Sequence, residues 1–436
     1  MNKDEGLVRA LGFTGLTAGM INYMIGAGIF VLPALVAANV GAAAPVIFVI
    51  CAVAMALIVA CFADAGSRVS LSGGTYAYAG RAFGPYVGFI VGVSYWFGST
   101  VLATAAVANV FVDTLAEIEP VFGDRIVRGI VLVAMFALFA FINVRGVKSG
   151  ARVVKTVTVA KLTPLLILVV AGLFAVNVQN LAWPGMPTGD VTARTAVILM
   201  FAFLGIEGGL SPSGEVKNPA RTVPRAILTA LVTVALLYMA LQLVAQGVLG
   251  PALGDNQKAP LAETARVVLG SGGFMLVLAG AAISTLGYVA GDMLAAPRSI
   301  YALARDGLLP SPIAKVHETF RTPHVAILTH AAFCLTFALT GSFASLLVVA
   351  TLATLIVYLI CCAATIQLQR LDVRSEGAVP FRVPGGPIIP VLAIAVVLWL
   401  MSASTRAEFI ALGIMLGVET VLYLGLRVIK TRPVPA

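Results

Sequence analysis

Charged residues are scarce in this sequence of 436 residues. Only 11% of the residues are Asp, Glu, Lys or Arg, whereas 60% are hydrophobic. A water-soluble domain of this length needs far more charge on its surface, so the composition excludes a soluble globular protein. Hydrophobic runs repeatedly exceed the roughly 20 residues that a helix needs to span a bilayer. The composition therefore predicts an all-α polytopic membrane protein.

Residues that bind metals or perform catalysis are also few. The chain has three histidines and five cysteines, and no metal-type spacing joins the two residue types. All five cysteines lie within apolar runs, which indicates small buried residues rather than disulfides or ligands. We therefore predict no metal and no cofactor. The motifs His-Glu-x-x-His and Gly-x-Ser-x-Gly do not occur, so we expect no enzyme. The cysteines are Cys51, Cys61, Cys334, Cys361 and Cys362.

The net charge of +9 indicates topology rather than nucleic-acid binding, because the chain lacks a basic soluble domain. If the connections between apolar runs alternate between two sides, 21 of the 28 Lys and Arg fall on one side and six on the other, with Lys161 inside a run. Cytoplasmic loops carry such an excess. We predict a multi-pass protein of the cell (inner) membrane, surrounded by the lipid bilayer, with both termini in the cytoplasm. A channel is disfavoured because no filter sequence or pore-lining ring is repeated.

Two of the twelve predicted spans are interrupted by glycine. Span 1 contains Met-Ile-Gly-Ala-Gly-Ile-Phe at 24–30, and span 6 contains Phe-Ala-Phe-Leu-Gly-Ile-Glu-Gly-Gly at 201–209. Glycine weakens a helix, and unpaired backbone persists in a membrane only beside a protein-lined cavity. Interrupted helices at matching places in two halves are typical of a transporter site, although glycines also permit close helix packing. The predicted spans are 12–36, 42–66, 86–112, 126–144, 153–176, 195–214, 224–248, 273–303, 324–340, 345–368, 387–404 and 407–427.

The separation of the two breaks by five spans predicts a 5+5 inverted repeat. An odd number of spans makes the second repeat run through the membrane in the opposite direction. Between spans 2 and 3, the stretch 72–84 predicts a short amphipathic helix at the cytoplasmic surface. The expected segments are a cytoplasmic N-terminus at 1–11, repeats at 12–176 and 195–368, helices 11 and 12 at 387–427, and a cytoplasmic C-terminus at 428–436.

Five motifs follow one another in the chain: Ile25–Phe30 in span 1, Phe201–Glu207 in span 6, and the stretches 215–221, 298–307 and 380–384 in predicted cytoplasmic connections. Together they resemble the motifs of amino-acid permeases of the APC (amino acid–polyamine–organocation) superfamily. The first is similar to Gly-Ser-Gly-Ile-Phe, with Ala27 in place of the usual serine. The resemblance implies a secondary active carrier with discontinuous helices 1 and 6 that moves amino acids or related amines.

An amino acid presents a carboxylate and an ammonium. The N-terminal N–H groups of the half-helix after Gly28 suit a carboxylate, and backbone groups alone would hold it because Ala27 has no hydroxyl. Carbonyls near Met24 and at 201–204 suit the ammonium. The resemblance implies that Phe201 covers the pocket and that Tyr95 and Trp96 form an opposing wall, whereas simple packing is the alternative for these aromatic residues. The predicted substrate-binding residues are Met24, Ile25, Gly26, Ala27, Gly28, Tyr95, Phe201, Ala202, Phe203, Leu204, Gly205 and Ile206.

Three ionisable residues lie deep in predicted spans, which makes each a functional candidate. Glu207 either binds a proton during transport or caps the broken backbone as a neutral carboxyl. Asp292 is a candidate selectivity residue that counters a cationic substrate side chain, pairs with a buried polar group or carries protons. Lys161 lies about 13 Å from the cytoplasmic end of span 5. Burial disfavours its charged form, so it is a candidate for proton coupling, with a permanently charged tether as the alternative.

The resemblance matches Lys161 to a helix 5 lysine whose ammonium stands where sodium-coupled relatives bind an ion between helices 1 and 8. The stretch 294–297 of span 8 offers no hydroxyl pair for sodium. We therefore predict a sodium-independent transporter of amino acids that works by alternating access, either proton-linked or by exchange. Neutral amino acids are favoured, and the alternative is a cationic amino acid or polyamine exchanger. The expected partners are this small molecule, the lipid bilayer and a proton.

Overall fold

The computed structural model of the protein describes residues 11–69, 73–146, 150–183, 185–210, 213–374, 379–383 and 385–431. The predicted cytoplasmic ends at 1–10 and 432–436 lie outside these residues, as do Ser72 of the predicted amphipathic helix and Pro384 of the last motif. The described chain is almost entirely helical. Its α-helices are α1 (Phe13–Met24), α2 (Gly28–Val40), α3 (Ala44–Arg68), α4 (Thr75–Phe83), α5 (Pro85–Ser94), α6 (Ala103–Ile118), α7 (Arg125–Arg145), α8 (Gly150–Leu173), α9 (Gly189–Phe203), α10 (Pro219–Leu249), α11 (Pro260–Arg305), α12 (His324–Thr340), α13 (Phe343–Arg370), α14 (Ile388–Ser402) and α15 (Arg406–Thr431).

Long apolar helices dominate this architecture. Within the described ranges, nine helical segments are long and apolar enough to cross a membrane, and α12 and α14 are shorter apolar helices. One of the nine combines α2 and α3, which a short 3₁₀ turn at Gly41–Ala43 connects. The short helix α4 lies where the sequence predicts an amphipathic helix. The fold is that of a polytopic helical membrane protein, as the composition predicts.

The helices differ in how much of their surface is buried. The segment containing α5 and α6, the segment beginning with α9, and α13 are mostly buried, whereas α7 and α15 present most of their surface outward. Large apolar side chains such as Ile130 and Val133 on α7 and Val418 and Val421 on α15 are exposed. Such surfaces suit contact with lipid tails, which are as apolar as these side chains. The candidate functional residues belong to the buried helices and to their neighbours.

A π-helical segment, Tyr95–Leu102, connects α5 to α6. Its Gly98 lies against α13, because a Cβ there would be 2.2 Å from the Cβ of Ala353. The hydroxyl oxygens of Ser99 and Thr354 are 2.7 Å apart across the same contact. π-helical turns are rare and occur frequently at functional sites. This one begins with Tyr95, which the sequence predicts to line the site.

A buried ion pair holds the connection after α13 against the end of α3. Asp64 and Arg68 bond to each other. The Asp64 carboxylate also accepts from Nε2 of Gln369 at 2.8 Å and from the backbone N–H of Val383 at 3.3 Å. Arg68 donates to the carbonyl of Val373 at 3.3 Å. Since a buried charge is tolerated only when it is paired and hydrogen-bonded, this network determines where the connection lies.

Candidate functional site

The backbone of predicted span 1 breaks at its glycines. α1 ends at Met24, Ile25 takes the non-helical angles φ −84° and ψ 82°, and α2 begins at Gly28. The helical ladder is therefore interrupted over Ile25–Ala27. The carbonyl groups after Ile21 lose their helical partners, although that of Met24 accepts from the N–H of Gly26 at 3.0 Å. Buried backbone groups need other partners, and side chains from three neighbouring helices supply them.

Lys161 on α8 and Ser284 on α11 supply two of these partners. Nζ of Lys161 donates to the carbonyl of Asn22 at 2.8 Å and to that of Ile25 at 2.5 Å. The hydroxyl of Ser284 lies 3.0 Å from the carbonyls of both Ile25 and Gly26 and can donate to either. Both side chains are fully buried. Lys161, which the sequence predicts to lie deep in span 5, thus contacts the broken helix directly.

A third partner comes from α10. The hydroxyl of Tyr238 donates to the carbonyl of Met24 at 2.9 Å. Neither Tyr238 nor Ser284 is among the residues predicted from the sequence. The predicted lack of a hydroxyl pair concerns the stretch 294–297 of α11. The hydroxyl that reaches the break lies closer to the N-terminus of that helix. The sequence signal that could have identified both residues is a hydroxyl group within an apolar span.

The second break follows α9, which ends at Phe203. Leu204 is extended (φ −67°, ψ 162°), and Gly205 has φ +100°, a conformation that favours glycine. The N–H of Gly205 donates to Oε2 of Glu207 at 3.0 Å, and the hydroxyl of Tyr358 donates to the same oxygen at 2.6 Å. Oε1 of Glu207 is buried and has no hydrogen-bond partner among the described residues. Glu207 therefore caps the broken backbone through one oxygen and leaves the other available.

The two interrupted segments touch each other through their backbones. A Cβ at Gly28 would lie 2.7 Å from Cα of Ala202, and one at Gly205 would lie 2.6 Å from the carbonyl oxygen of Tyr23. Real Cβ atoms essentially never approach so closely, so only glycine fits at either position. Gly28 thus faces the second segment directly, which gives it a packing role in addition to its predicted place at the start of α2.

The two phenylalanines of the second segment face different neighbours. The ring of Phe201 packs edge-on against Phe343, the first residue of α13, with a centroid distance of 5.7 Å. The ring of Phe203 packs against Tyr238 at 5.4 Å and is fully buried. The two residues are two positions apart on an unwinding helix, so only one of them can face a substrate. The position of Phe203 behind the first break leaves Phe201 as the candidate.

Three tyrosines lie around the contact between the two interrupted segments. A Cβ at Gly208 would lie 3.3 Å from the ring of Tyr23 and 3.4 Å from the hydroxyl of Tyr95. A Cβ at Gly26 would lie 3.2 Å from the ring of Tyr288 on α11. Tyr23 and Tyr95 are partly exposed although they lie in the middle of their spans. The sequence predicts Tyr95 as a site residue and misses the other two.

Asp292 belongs to the same face of α11 as Ser284 and Tyr288, since residues four apart lie above one another on a helix. Oδ2 of Asp292 lies 2.8 Å from Nε2 of His330 on α12, and Nδ1 of His330 lies 3.1 Å from Nε1 of Trp96. Of the roles predicted for Asp292, pairing with a buried polar group is the one seen in the structure. His330 is absent from the predicted site, although a histidine in an apolar span signals function.

These residues form one polar cluster between packed helices. The hydroxyl of Tyr288 lies within electrostatic range of Glu207, Asp292, Tyr95 and Tyr23. Carboxylates, hydroxyls and unwound backbone that converge in a buried place can bind a small polar solute that carries charges. The predicted residues of the two breaks are therefore brought together.

One group of potential metal ligands occurs within the described part of the chain. A carboxylate oxygen of Asp292, a ring nitrogen of His330 and Sγ of Cys334 lie within 4.8 Å of one another. However, Nδ1 of His330 accepts the N–H of Trp96, so Nε2 carries the proton of the neutral ring. A protonated nitrogen is a donor and not a metal ligand, and we assign the group to hydrogen bonding.

Comparisons with known proteins match the chain over almost its full length. The profile of the amino acid permease family matches residues 11–419. A methylthioribose transporter of Bacillus subtilis (strain 168) is 30% identical over 441 residues, which cover 97% of this chain and 94% of that protein. Uncharacterized transporters of Mycobacterium bovis and Mycobacterium tuberculosis are each 28% identical over 442 residues, which cover 93% of this chain and 90% of those proteins.

Proposed function

This chain belongs to the amino acid permease family, and we propose that it is a secondary active carrier that moves amino acids across the cytoplasmic membrane by alternating access. The observation that supports this proposal is the backbone contact between two interrupted segments, at Gly28 against Ala202 and at Gly205 against Tyr23. Carriers bind charged substrates at such breaks because half-helix ends and unwound carbonyls offer ready-made partial charges. In this proposal the protein is a permease and not an enzyme.

We propose an architecture of twelve spans. A first five-helix repeat at 12–176 is followed by an inverted repeat at 195–368 and by two helices at 387–427. The two interrupted segments support this division, because each lies in the first helix of its repeat. The excess of Lys and Arg in alternate connections supports cytoplasmic ends at 1–11 and 428–436.

For the substrate, we propose that the carboxylate binds at the N-terminus of α2, after Gly28, where free N–H groups and the helix dipole favour an anion. The carbonyls of the first break already accept hydrogen bonds from Lys161, Ser284 and Tyr238. The substrate ammonium would therefore bind to the carbonyls of 202–204. This arrangement accepts any α-amino acid. The sequence favours neutral ones, with a cationic amino acid or polyamine as the alternative, and the side chain of the substrate decides between them.

For coupling, we propose sodium-independent transport in which Lys161 takes part. Its ammonium occupies a place lined by the carbonyls of Asn22 and Ile25, beside the hydroxyl of Ser284. Oxygen atoms in this arrangement would otherwise suit a cation, and the ammonium supplies the positive charge itself. Glu207, with one unpartnered oxygen, is the second candidate for carrying a proton.

The test is uptake into proteoliposomes with an imposed proton gradient and with sodium replaced by choline. Lys161→Ala and Ser284→Ala each remove one donor to the Ile25 carbonyl, but only the first removes a titratable group, which makes them a matched pair. We expect the parent to take up substrate without sodium, driven by the proton gradient. Ser284→Ala should keep this gradient-driven uptake, whereas uptake by Lys161→Ala should no longer depend on the gradient. A strict sodium requirement in the parent, or full gradient-driven uptake by Lys161→Ala, would contradict the coupling proposal.

A second candidate substrate is a neutral sugar derivative. The relative from Bacillus subtilis carries the name methylthioribose transporter, and hydroxyl groups such as those of Tyr23, Tyr95 and Tyr288 suit a polyol. Thermal stabilisation of the purified protein by the twenty amino acids, common polyamines and methylthioribose separates the candidates, because a ligand that binds only the native state raises the unfolding midpoint. Stabilisation by methylthioribose and by no amino acid would replace the amino-acid proposal.

A further inference from the structure

A buried chain of hydrogen bonds connects three helical elements beside the candidate site. Nε1 of Trp96, in the π-helical segment, donates to Nδ1 of His330 on α12 at 3.1 Å. Nε2 of His330 lies 2.8 Å from Oδ2 of Asp292 on α11. The three residues are 9%, 0% and 3% exposed. The transport steps proposed above use neither Trp96 nor His330, so the chain needs its own explanation.

The indole group determines where the imidazole carries its proton. A tryptophan N–H is only a donor, so Nδ1 of His330 is the acceptor and bears no proton. The proton of the neutral ring is then on Nε2, from which it is donated to the carboxylate of Asp292. An imidazolium would need a further proton on Nδ1, directly opposite the N–H of Trp96. His330 is therefore a neutral donor that orients Asp292 without compensating its charge.

No other positive group among the described side chains forms an ion pair with Asp292. The titratable neighbours of Asp292 are Tyr288 on its own helix, Tyr23 on α1 and Cys334 beside His330 on α12, all neutral hydroxyl or thiol groups. The nearest cation along α11 is Arg298, which also acts on Tyr23; it lies six residues on, about 240° round the helix from Asp292, and forms no ion pair with it. Lys161 is bonded to the carbonyls of the first break. A buried carboxylate without a counter-charge is unfavourable in a membrane protein, and a cation from outside the chain would supply that charge.

We propose that Asp292 binds the positively charged side-chain group of a cationic amino acid, an ammonium or a guanidinium, and that His330 and Trp96 position its carboxylate. Tyr288 packs against Gly26 at the first break, and Asp292 lies one helical turn, about 6 Å, further along α11. A lysine or arginine side chain can span that separation. The inference rests on the proposed function, because it requires the backbone of an amino acid to be bound at the two breaks.

The direct test compares arginine with citrulline, which has a similar length and shape but no charge on its side chain. Isothermal titration of the protein in nanodiscs measures both. We expect the parent to bind arginine at least about tenfold more tightly, as a charge-assisted hydrogen bond allows. Asp292→Asn should remove this preference and leave citrulline binding within about threefold of the parent. Glu419→Gln is the matched control, because it removes another buried carboxylate, one bonded to Ser94, and should leave the preference unchanged.

Variants of His330 test the positioning role. In His330→Gln the amide can accept from Trp96 and donate to Asp292 as the neutral ring does, whereas His330→Leu can do neither. We expect the glutamine variant to retain the arginine preference and the leucine variant to lose it, with similar citrulline binding in both. Nitrogen-15 spectra of a histidine-labelled protein without His317 and His324 should show the proton on Nε2, and Trp96→Phe should change this pattern.

The outcomes separate this inference from the proposed function. A parent that binds neutral amino acids but shows no preference for arginine over citrulline would refute the role of Asp292 and leave the carrier proposal intact. Binding of no amino acid at all would refute the carrier proposal itself. If Asp292→Asn does not fold, retention of the arginine preference in His330→Leu would still refute the positioning of Asp292 by His330.

Discussion

Replacing Gly28 with alanine should force the two interrupted segments apart. The added Cβ would lie 2.7 Å from Cα and 3.0 Å from Cβ of Ala202, whereas ordinary contact begins at 3.4 Å. The backbones would therefore have to separate by about 0.7 Å in a closely packed part of the interior. Since the obstacle is backbone, no change of rotamer relieves it, and overpacking of this kind costs about 1–3 kcal/mol.

Two other glycines nearby provide matched controls. A Cβ at Gly26 would meet the ring of Tyr288 at 3.2 Å, and this side chain can move by a few tenths of an ångström. A Cβ at Gly19, on α1, would meet nothing within 4 Å, so alanine there should stabilise the helix by up to about 1 kcal/mol. The expected order of stability is thus Gly19→Ala at or above the parent, then Gly26→Ala, then Gly28→Ala.

Unfolding of the purified variants, followed by tryptophan fluorescence on heating, measures this order. For a chain of 436 residues, a loss of about 1–3 kcal/mol corresponds to a midpoint lower by about 1–3 °C, because the entropy of unfolding grows with chain length. We also expect Gly28→Ala to take up substrate more slowly into proteoliposomes. The reasoning would be refuted if Gly28→Ala matched the parent in both midpoint and uptake. It would also be refuted if Gly26→Ala were the more damaged of the two.

Two further substitutions test buried polar contacts by chemical denaturation, one at the end of α3 and one at the first break. Arg68→Ala should lower the free energy of unfolding by about 3–5 kcal/mol, because it leaves the carboxylate of Asp64 buried without its counter-charge. Arg374→Ala, which breaks an exposed ion pair, is the control and should leave the free energy of unfolding nearly unchanged. Equal losses in the two variants would contradict this account. Tyr238→Phe should cost about 0.5–1.5 kcal/mol, because the carbonyl of Met24 loses its side-chain donor but keeps the N–H of Gly26 at 3.0 Å. No loss would mean that another donor replaces the hydroxyl.

The breaks themselves could be predicted from the sequence because their signal is local. Gly26, Gly28 and Gly205 interrupt otherwise apolar spans, and the structure departs from helical geometry over Ile25–Ala27 and at Leu204 and Gly205. The position of Lys161 along span 5 follows from the sequence in the same way, since the number of residues from the end of a helix fixes the distance along its axis. Its depth in the membrane stays a prediction. Composition and helix length likewise sufficed for the membrane class.

The partners of the breaks could not be predicted in this way. Tyr238, Ser284 and His330 come from helices far along the chain, and their positions depend on how those helices rotate and pack. An apolar span with one polar residue does not reveal which neighbour that residue faces. The π-helical segment at Tyr95–Leu102 has no clear local signal either, yet it carries both Tyr95 and Trp96.

The hydrogen bonds at the first break suggest how a proton on Lys161 can matter without unfolding the site. An ammonium has three N–H donors and a neutral amine retains two, so both the Asn22 and the Ile25 carbonyls keep a donor when the proton leaves. The Ile25 carbonyl also lies 3.0 Å from the hydroxyl of Ser284. What disappears is the attraction between a positive charge and two carbonyl dipoles, which is strong in a buried environment. In the proposed cycle, loss of the proton therefore weakens the attachment of α1 to α8 while the carbonyls of Asn22 and Ile25 each keep a donor. The first break can then move relative to α8 without leaving these two carbonyls unpaired.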